Sequence, residues 1–173
     1  MTAAARTHTA ALERSILVDS REHPGHCWFQ QALADGTARR ATLKTGDYSL
    51  DGLEHLVLIE RKALGDLIGC VGYARDRFER ELARMADETA IPWLVIEAIP
   101  AQVEMRGYRG RVAPAAVFGS LAAWSCDFGI RVWWGGAPDA CERWAHRLFG
   151  AVERRVERGD NVFRAAGCVG LTA

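Results

Sequence analysis

A chain of 173 residues, about half of them hydrophobic, suits one domain of ordinary size with a sizeable buried core. Lys+Arg and Asp+Glu are both 22, so the net charge is zero; this excludes a uniformly basic nucleic-acid coat and leaves only local patches for such binding. No apolar run reaches the roughly 18 residues of a membrane span. The five cysteines contain no CxxC pair, and His23, His26 and Cys27 have no second ligand cluster to complete a zinc site.

The first dozen residues are small and polar, and residues 1–14 read as a flexible tail. Ser15 to Val18 is a β-branched apolar run and predicts a buried strand ending at Asp19. Cys27 to Ala34 suits a short helix closed by Asp35-Gly36. Arg40 to Tyr48 alternates loosely and predicts a second strand. Leu56 to Ile59 predicts a third, running into Glu60-Arg61-Lys62, with a hairpin turn at Leu50-Asp51-Gly52. From Ala63 to Ala86 two apolar stripes, Leu64/Leu67/Ile68/Val71 and Phe78/Leu82/Met85, predict two helices divided near Gly69 and Gly72. Trp93 to Ile96 is a fourth strand, and Gln102 to Val112 a loop or frayed helix. Pro114 opens a helix through Trp124. Ile130 to Trp134 is a fifth strand, and Asp139 to Arg158 a long charged helix. Residues 15–160 thus form the domain and 161–173 a C-terminal tail. Strands alternating with helices after a hairpin predict an α/β architecture, a mixed central sheet flanked by helices.

The chemistry concentrates in Gly46-Asp47, then twelve intervening residues, then Glu60-Arg61-Lys62, with Asp66 four residues further on. Only two of the 22 positive charges are lysines, Lys44 and Lys62, and Lys62 sits inside this acidic motif. Side chains alternate along a strand, so Glu60 and Lys62 share a face and Arg61 takes the other. A hairpin brings Asp47 beside Glu60, and two carboxylates converge next to one ammonium. Carboxylate oxygens suit Mg²⁺ or Mn²⁺. A lysine there orients water or offsets charge on a phosphate. The alternative is a strand-end salt bridge between Glu60 and Lys62.

Val18 to Glu22 (V-D-S-R-E), Gly46 to Tyr48 (G-D-Y), Ile59 to Leu67 (I-E-R-K-A-L-G-D-L), Arg77-Phe78 and Leu94 to Glu97 (L-V-I-E) together resemble the XPF-type nuclease domain, whose mark is GD…ERKxxxD. Ala115 to Val132 resembles the final helix and strand of that domain. The resemblance spans Ile16 to Arg147. It implies the restriction-endonuclease-like, PD-(D/E)xK fold and a metal-dependent DNA endonuclease using Mg²⁺ or Mn²⁺ on flap or branched DNA. Residue by residue, it implies Asp47 and Glu60 as central metal ligands, Lys62 as the catalytic lysine, and Asp19 as a further metal ligand. Glu22 is implied as an added acidic position. Arg61 and Asp66 match the remaining motif positions, and Arg77 an arginine facing DNA phosphate. One departure is Glu81, where the family often carries glutamine. A second is the absence of the tandem helix-hairpin-helix module that usually follows, and of the helicase some members carry. Duplex grip is then expected from this domain, a second subunit or a separate DNA-binding or helicase protein.

Several of these residues have plainer readings. Asp19 suits a helix cap, and Asp66 a favourable charge in a helix first turn. Arg75, Arg77, Arg80 and Arg84 alternate with acids as a solvated helix face does. Arg106, Arg109 and Arg111, interleaved with Tyr108, offer phosphate contacts from a loop. The aromatic-rich last third, with Trp124, Trp133 and Trp134, is expected to carry a homodimer interface, with Trp124 or Trp134 near it. The odd cysteine count and the missing signal peptide point to a reducing cytoplasm, nucleoid-associated when on DNA. The rival function is a non-catalytic DNA-binding scaffold, and a second rival an enzyme acting on RNA.

Overall fold

Val57-Leu58-Ile59 and Leu94-Val95-Ile96 are continuous apolar runs, as a central parallel pair covered on both faces requires. The computed structural model describes residues 12–160, and in it all six of these residues are buried. In chain order the elements are β1 (Ile16–Asp19), α1 (Gln30–Asp35), β2 (Ala38–Ala41), β3 (Tyr48–Leu50), β4 (Val57–Ala63), α2 (Leu64–Val71), α3 (Arg75–Glu88), β5 (Ile91–Glu97), α4 (Pro100–Glu104), α5 (Pro114–Phe128), β6 (Arg131–Trp134) and α6 (Pro138–Glu157). The six strands form one mixed sheet in the order β2-β1-β3-β4-β5-β6. β3 runs antiparallel to both β1 and β4; the β1–β2, β4–β5 and β5–β6 pairs are parallel.

Alternation along the strands divides the core between the two faces. Val95 and Ile59 join Trp28, Tyr48 and Phe149 under α1 and α6. Leu94 and Ile96 join Leu67, Phe78, Leu121 and Trp124 under α2, α3 and α5. Each such fully buried side chain contributes about 1.5–3 kcal/mol. Among the described residues, no helix is long and apolar enough to cross a membrane.

The predicted strand Arg40–Tyr48 is in fact two strands on opposite sides of β1, with residues 42–47 crossing between them. Polar contacts to Asp19, described below, hold that crossing. The predicted helix from Cys27 starts only at Gln30, because Trp28 and Phe29 turn into the core and the Trp28 N–H donates to the Tyr48 hydroxyl. The helix opening at Pro114 continues past Trp124 to Phe128. Trp124 is fully buried against Phe78, so it belongs to the core and not to an interface. Trp133 is the exposed tryptophan, stacked on Trp144. Of the expected tails, residues 1–11 and 161–173 lie outside the described residues. Residues 12–14 are held: Glu153, buried on α6, accepts the N–H groups of Glu13 and Arg14 at 3.0 and 2.8 Å.

Candidate active site

Gly46 explains why glycine must precede Asp47. Its φ is +74°, a left-handed conformation that other residues avoid, and a Cβ there would lie 3.2 Å from the Ile59 carbonyl oxygen of β4. That close approach lets the Asp47 N–H donate to Ile59 O at 2.7 Å, just before the Tyr48–Ile59 register of β3 and β4. Asp47 therefore stands beside Glu60. One Asp47 oxygen, Oδ2, accepts the Arg61 N–H at 2.7 Å. Lys62, two residues beyond Glu60 on the same face, donates to Glu60 Oε1 and lies over the Phe78 ring, 4.8 Å from its centroid. A small cleft of about 110 Å³ opens here, lined by Asp47, Glu60 and Glu81 together with Arg21, Lys44 and Arg84.

Burial pushes the Asp47 carboxyl well above the ordinary value, and the charges of Glu60 and Glu22 push it further. Burial also raises Glu60, against the pull of Lys62, with Glu81 and Glu22 adding to the rise. Burial alone would lower Lys62, but Glu60 and Asp47 raise it, so it stays an ammonium at neutral pH. A carboxylate whose pKa is raised in the fold favours its protonated form. The stability this gives is present at acid pH and lost as pH rises through the raised value. Asp47→Asn keeps an oxygen for the Arg61 N–H and removes the repulsion. Without divalent ions it should therefore melt higher than the wild type at pH 7 to 8, by a few degrees (~1 kcal/mol), with the gap closing towards pH 4. Thermal melts across that range check this; a variant less stable than wild type at pH 8 contradicts it.

Asp19 does not open into the cleft. The residue is 1 % exposed, and its carboxylate accepts the Arg21 N–H at 2.8 Å, Arg21 Nε at 2.7 Å and the Leu43 N–H at 2.8 Å. Burial would raise its pKa, yet these donors hold it below the usual value. With both oxygens engaged by protein donors, Asp19 anchors the crossing that carries Gly46 and Asp47.

Arg61 points to the opposite face, as alternation predicts. It makes a two-pronged pair with Glu97, at 2.7 and 2.9 Å, and lies 3.5 Å from Glu22. Trp28 Nε1 also donates to Glu97 at 2.7 Å, and the Tyr48 hydroxyl to Glu22 at 3.1 Å. Glu22 and Arg61 therefore form a layer behind the cleft rather than part of its lining. Asp66 is exposed in the first turn of α2, away from the cleft lining, where its charge suits the helix terminus. Arg77, Arg106, Arg109 and Arg111 are all exposed.

Sequence reasoning assigned no site role to Glu81, Arg84, Arg21 or Lys44. The spacing of Glu81 and Arg84 on α3 puts both on one helix face. Which way that face turns follows only from packing Phe78, Leu82 and Met85 inward.

Among the described residues, no three or more His, Cys, Asp or Glu side chains are grouped to enclose a metal ion. Two hard oxygen donors with raised pKa values nevertheless suit a cation such as Mg²⁺, which is usually held by one or two carboxylates and keeps water and substrate oxygens for the rest.

The ERCC4 domain model matches residues 18–148. XPF from Aeropyrum pernix superposes with a TM-score of 0.64 at 22% identity, over 84% of this chain and 68% of that one. XPF from Aeropyrum pernix in complex with DNA gives 0.61 at 21% identity, over 84% and 66%. At these identities the likeness shows the fold, a mixed sheet flanked by helices. No curated protein matches. The family expected from GD…ERKxxxD is the one that matches, over well over half the sequence, and the chain belongs to the ERCC4 domain family.

Proposed function

We propose that this domain is a metal-dependent DNA endonuclease that hydrolyses phosphodiester bonds in flap-containing or branched DNA. The observation that carries the reading is the Asp47–Glu60 pair, two carboxylates kept together in a cleft at an electrostatic cost, with a charged lysine beside them. A scaffold has no use for that cost, which weighs against the non-catalytic alternative. Asp47 and Glu60 would hold Mg²⁺ or Mn²⁺, and such an ion supplies Lewis acidity and a water of lowered pKa. Lys62 fixes Glu60 and offers positive charge where a phosphate develops negative charge. Because Lys62 is firmly protonated, it serves as an electrostatic group and not as a base. Arg21, Lys44 and Arg84 rim the cleft and suit the flanking phosphates. Pairing of two copies through the last third of the chain belongs to the same proposal, with Trp133 on its exposed face.

The test is a cleavage panel with purified protein: single-stranded, duplex, 3′-flap, 5′-flap and four-way DNA, plus matched RNA, with Mg²⁺ and Mn²⁺. Metal-dependent cutting of a flap or junction is expected. Binding without cutting, under every condition, would leave the scaffold reading. Alongside, millimolar Mn²⁺ should raise the melting temperature of the wild type by mass action, and that of Glu60→Gln much less. Equal shifts in both proteins would remove Glu60 from the metal site.

A further inference from the structure

A second concave surface lies between α2 and the segment from Arg106 to Val112. Two adjoining hollows of about 670 and 480 Å³ share Gly65 and Arg109 and form one groove. The floor is a helix face without side chains at Gly65 and Gly69; a Cβ added at Gly65 would meet nothing within 4 Å. The wall carries Arg106, Arg109 and Arg111, all exposed. Among the described residues none of the three makes an ion pair, and no carboxylate lines either hollow. At the far end stands Tyr73, 96 % exposed, its hydroxyl 3.2 Å and its ring edge 3.3 Å from where a Gly69 Cβ would be.

Three cations in a groove without counter-charge fit a polyanion. An uncovered aromatic ring fits an unpaired base, whose face a duplex would already have covered. We infer that this groove binds single-stranded nucleic acid, with successive phosphates along Arg106, Arg109 and Arg111 and a base stacked on Tyr73. Gly65 keeps the helix thin enough for a backbone to lie on it, and Gly69 leaves room for the Tyr73 ring. Leu64 and Gly65, two and three residues beyond Lys62, line the groove, so one end of it lies at the exit of β4. This assignment rests on the nuclease reading and gives it a path for the unpaired arm of a flap or fork.

The experiment reads binding alone. Fluorescence anisotropy of a labelled oligothymidylate is followed in EDTA over a salt series, with cleavage scored separately. Arg109→Ala should weaken binding and reduce the salt slope by about 0.7, the share of one phosphate contact on a single strand. Tyr73→Ala should weaken binding at least about fivefold. Gly65→Leu fills the groove at a helical position that tolerates a side chain, so it should weaken binding about tenfold or more while the melting temperature holds or rises. Wild-type affinity and salt slope in all three folded variants would overturn the groove. So would equal wild-type affinity for duplex DNA or for polyglutamate, which would reassign the groove to another polyanion. Because no divalent ion is present, weakened binding by these variants supports the groove even if no substrate is cut. Unaltered binding beside intact cleavage removes the groove and leaves the nuclease reading standing.

Discussion

Asp47→Asn should lower DNA cleavage by at least about a hundredfold, the scale of losing a major electrostatic catalytic group. The substitution is nearly isosteric. It keeps an oxygen for the Arg61 N–H and leaves Gly46 and the β3–β4 register untouched. The loss would therefore report charge and not misfolding. The same variant is expected to be more stable than wild type in the absence of divalent ions, since Asp47 and Glu60 repel each other. Activity and stability should thus move in opposite directions, which no general folding defect produces. Near-wild-type cutting by folded Asp47→Asn protein would sink the assignment of the site.

Arg61→Met should cost about 3–5 kcal/mol of stability, the scale of removing one partner from a buried ion pair. Glu97, whose side chain is 6 % exposed, would lose both prongs of its pairing with Arg61 and keep only Trp28 Nε1. Glu22 would lose its nearby positive charge as well. Methionine fills a similar volume, so the cost is that of stranded carboxylates and not of a cavity. Urea unfolding should show a lower midpoint with an unchanged slope. Arg61→Lys should recover only part of the loss, because one ammonium cannot make the two-pronged contact. A destabilisation below about 1 kcal/mol would mean that Glu97 and Glu22 find other partners.

Much of this could be read from the sequence because it depends on short-range periodicity. The runs at Val57 and Leu94 gave β4 and β5, and the stripe Phe78/Leu82/Met85 gave α3. Alternation placed Glu60 with Lys62 and set Arg61 behind them. What escaped was long-range. Nothing in Arg40 to Tyr48 shows that Asp19, more than twenty residues earlier, captures Leu43 and splits the run. The same contact makes Asp19 an anchor of the crossing, a role its position in the sequence does not reveal. Glu81 and Arg84 reach the cleft only because α3 packs its apolar face on the sheet. The expectation of Trp124 or Trp134 near an interface left the choice open, and Trp124 proves to be core, because hydrophobicity alone does not separate a core tryptophan from one covered by a partner.

The backbone around Asp47 has a consequence for how the protein breathes. Its carbonyl accepts the Asp19 N–H at 2.8 Å, its own N–H donates to Ile59 O, and its side chain caps the Arg61 N–H. Three amides are thus locked across β1, β3 and β4, in the middle of a six-stranded sheet. Exposing any of them to solvent exchange requires prising apart strands that hold both halves of the core, so the free energy of opening there approaches that of the whole domain. The arginine-bearing segment after α4, exposed and outside helix and strand, is expected to open at lower cost. The carboxylate that needs the strictest placement is thereby carried on the part of the chain that is slowest to open.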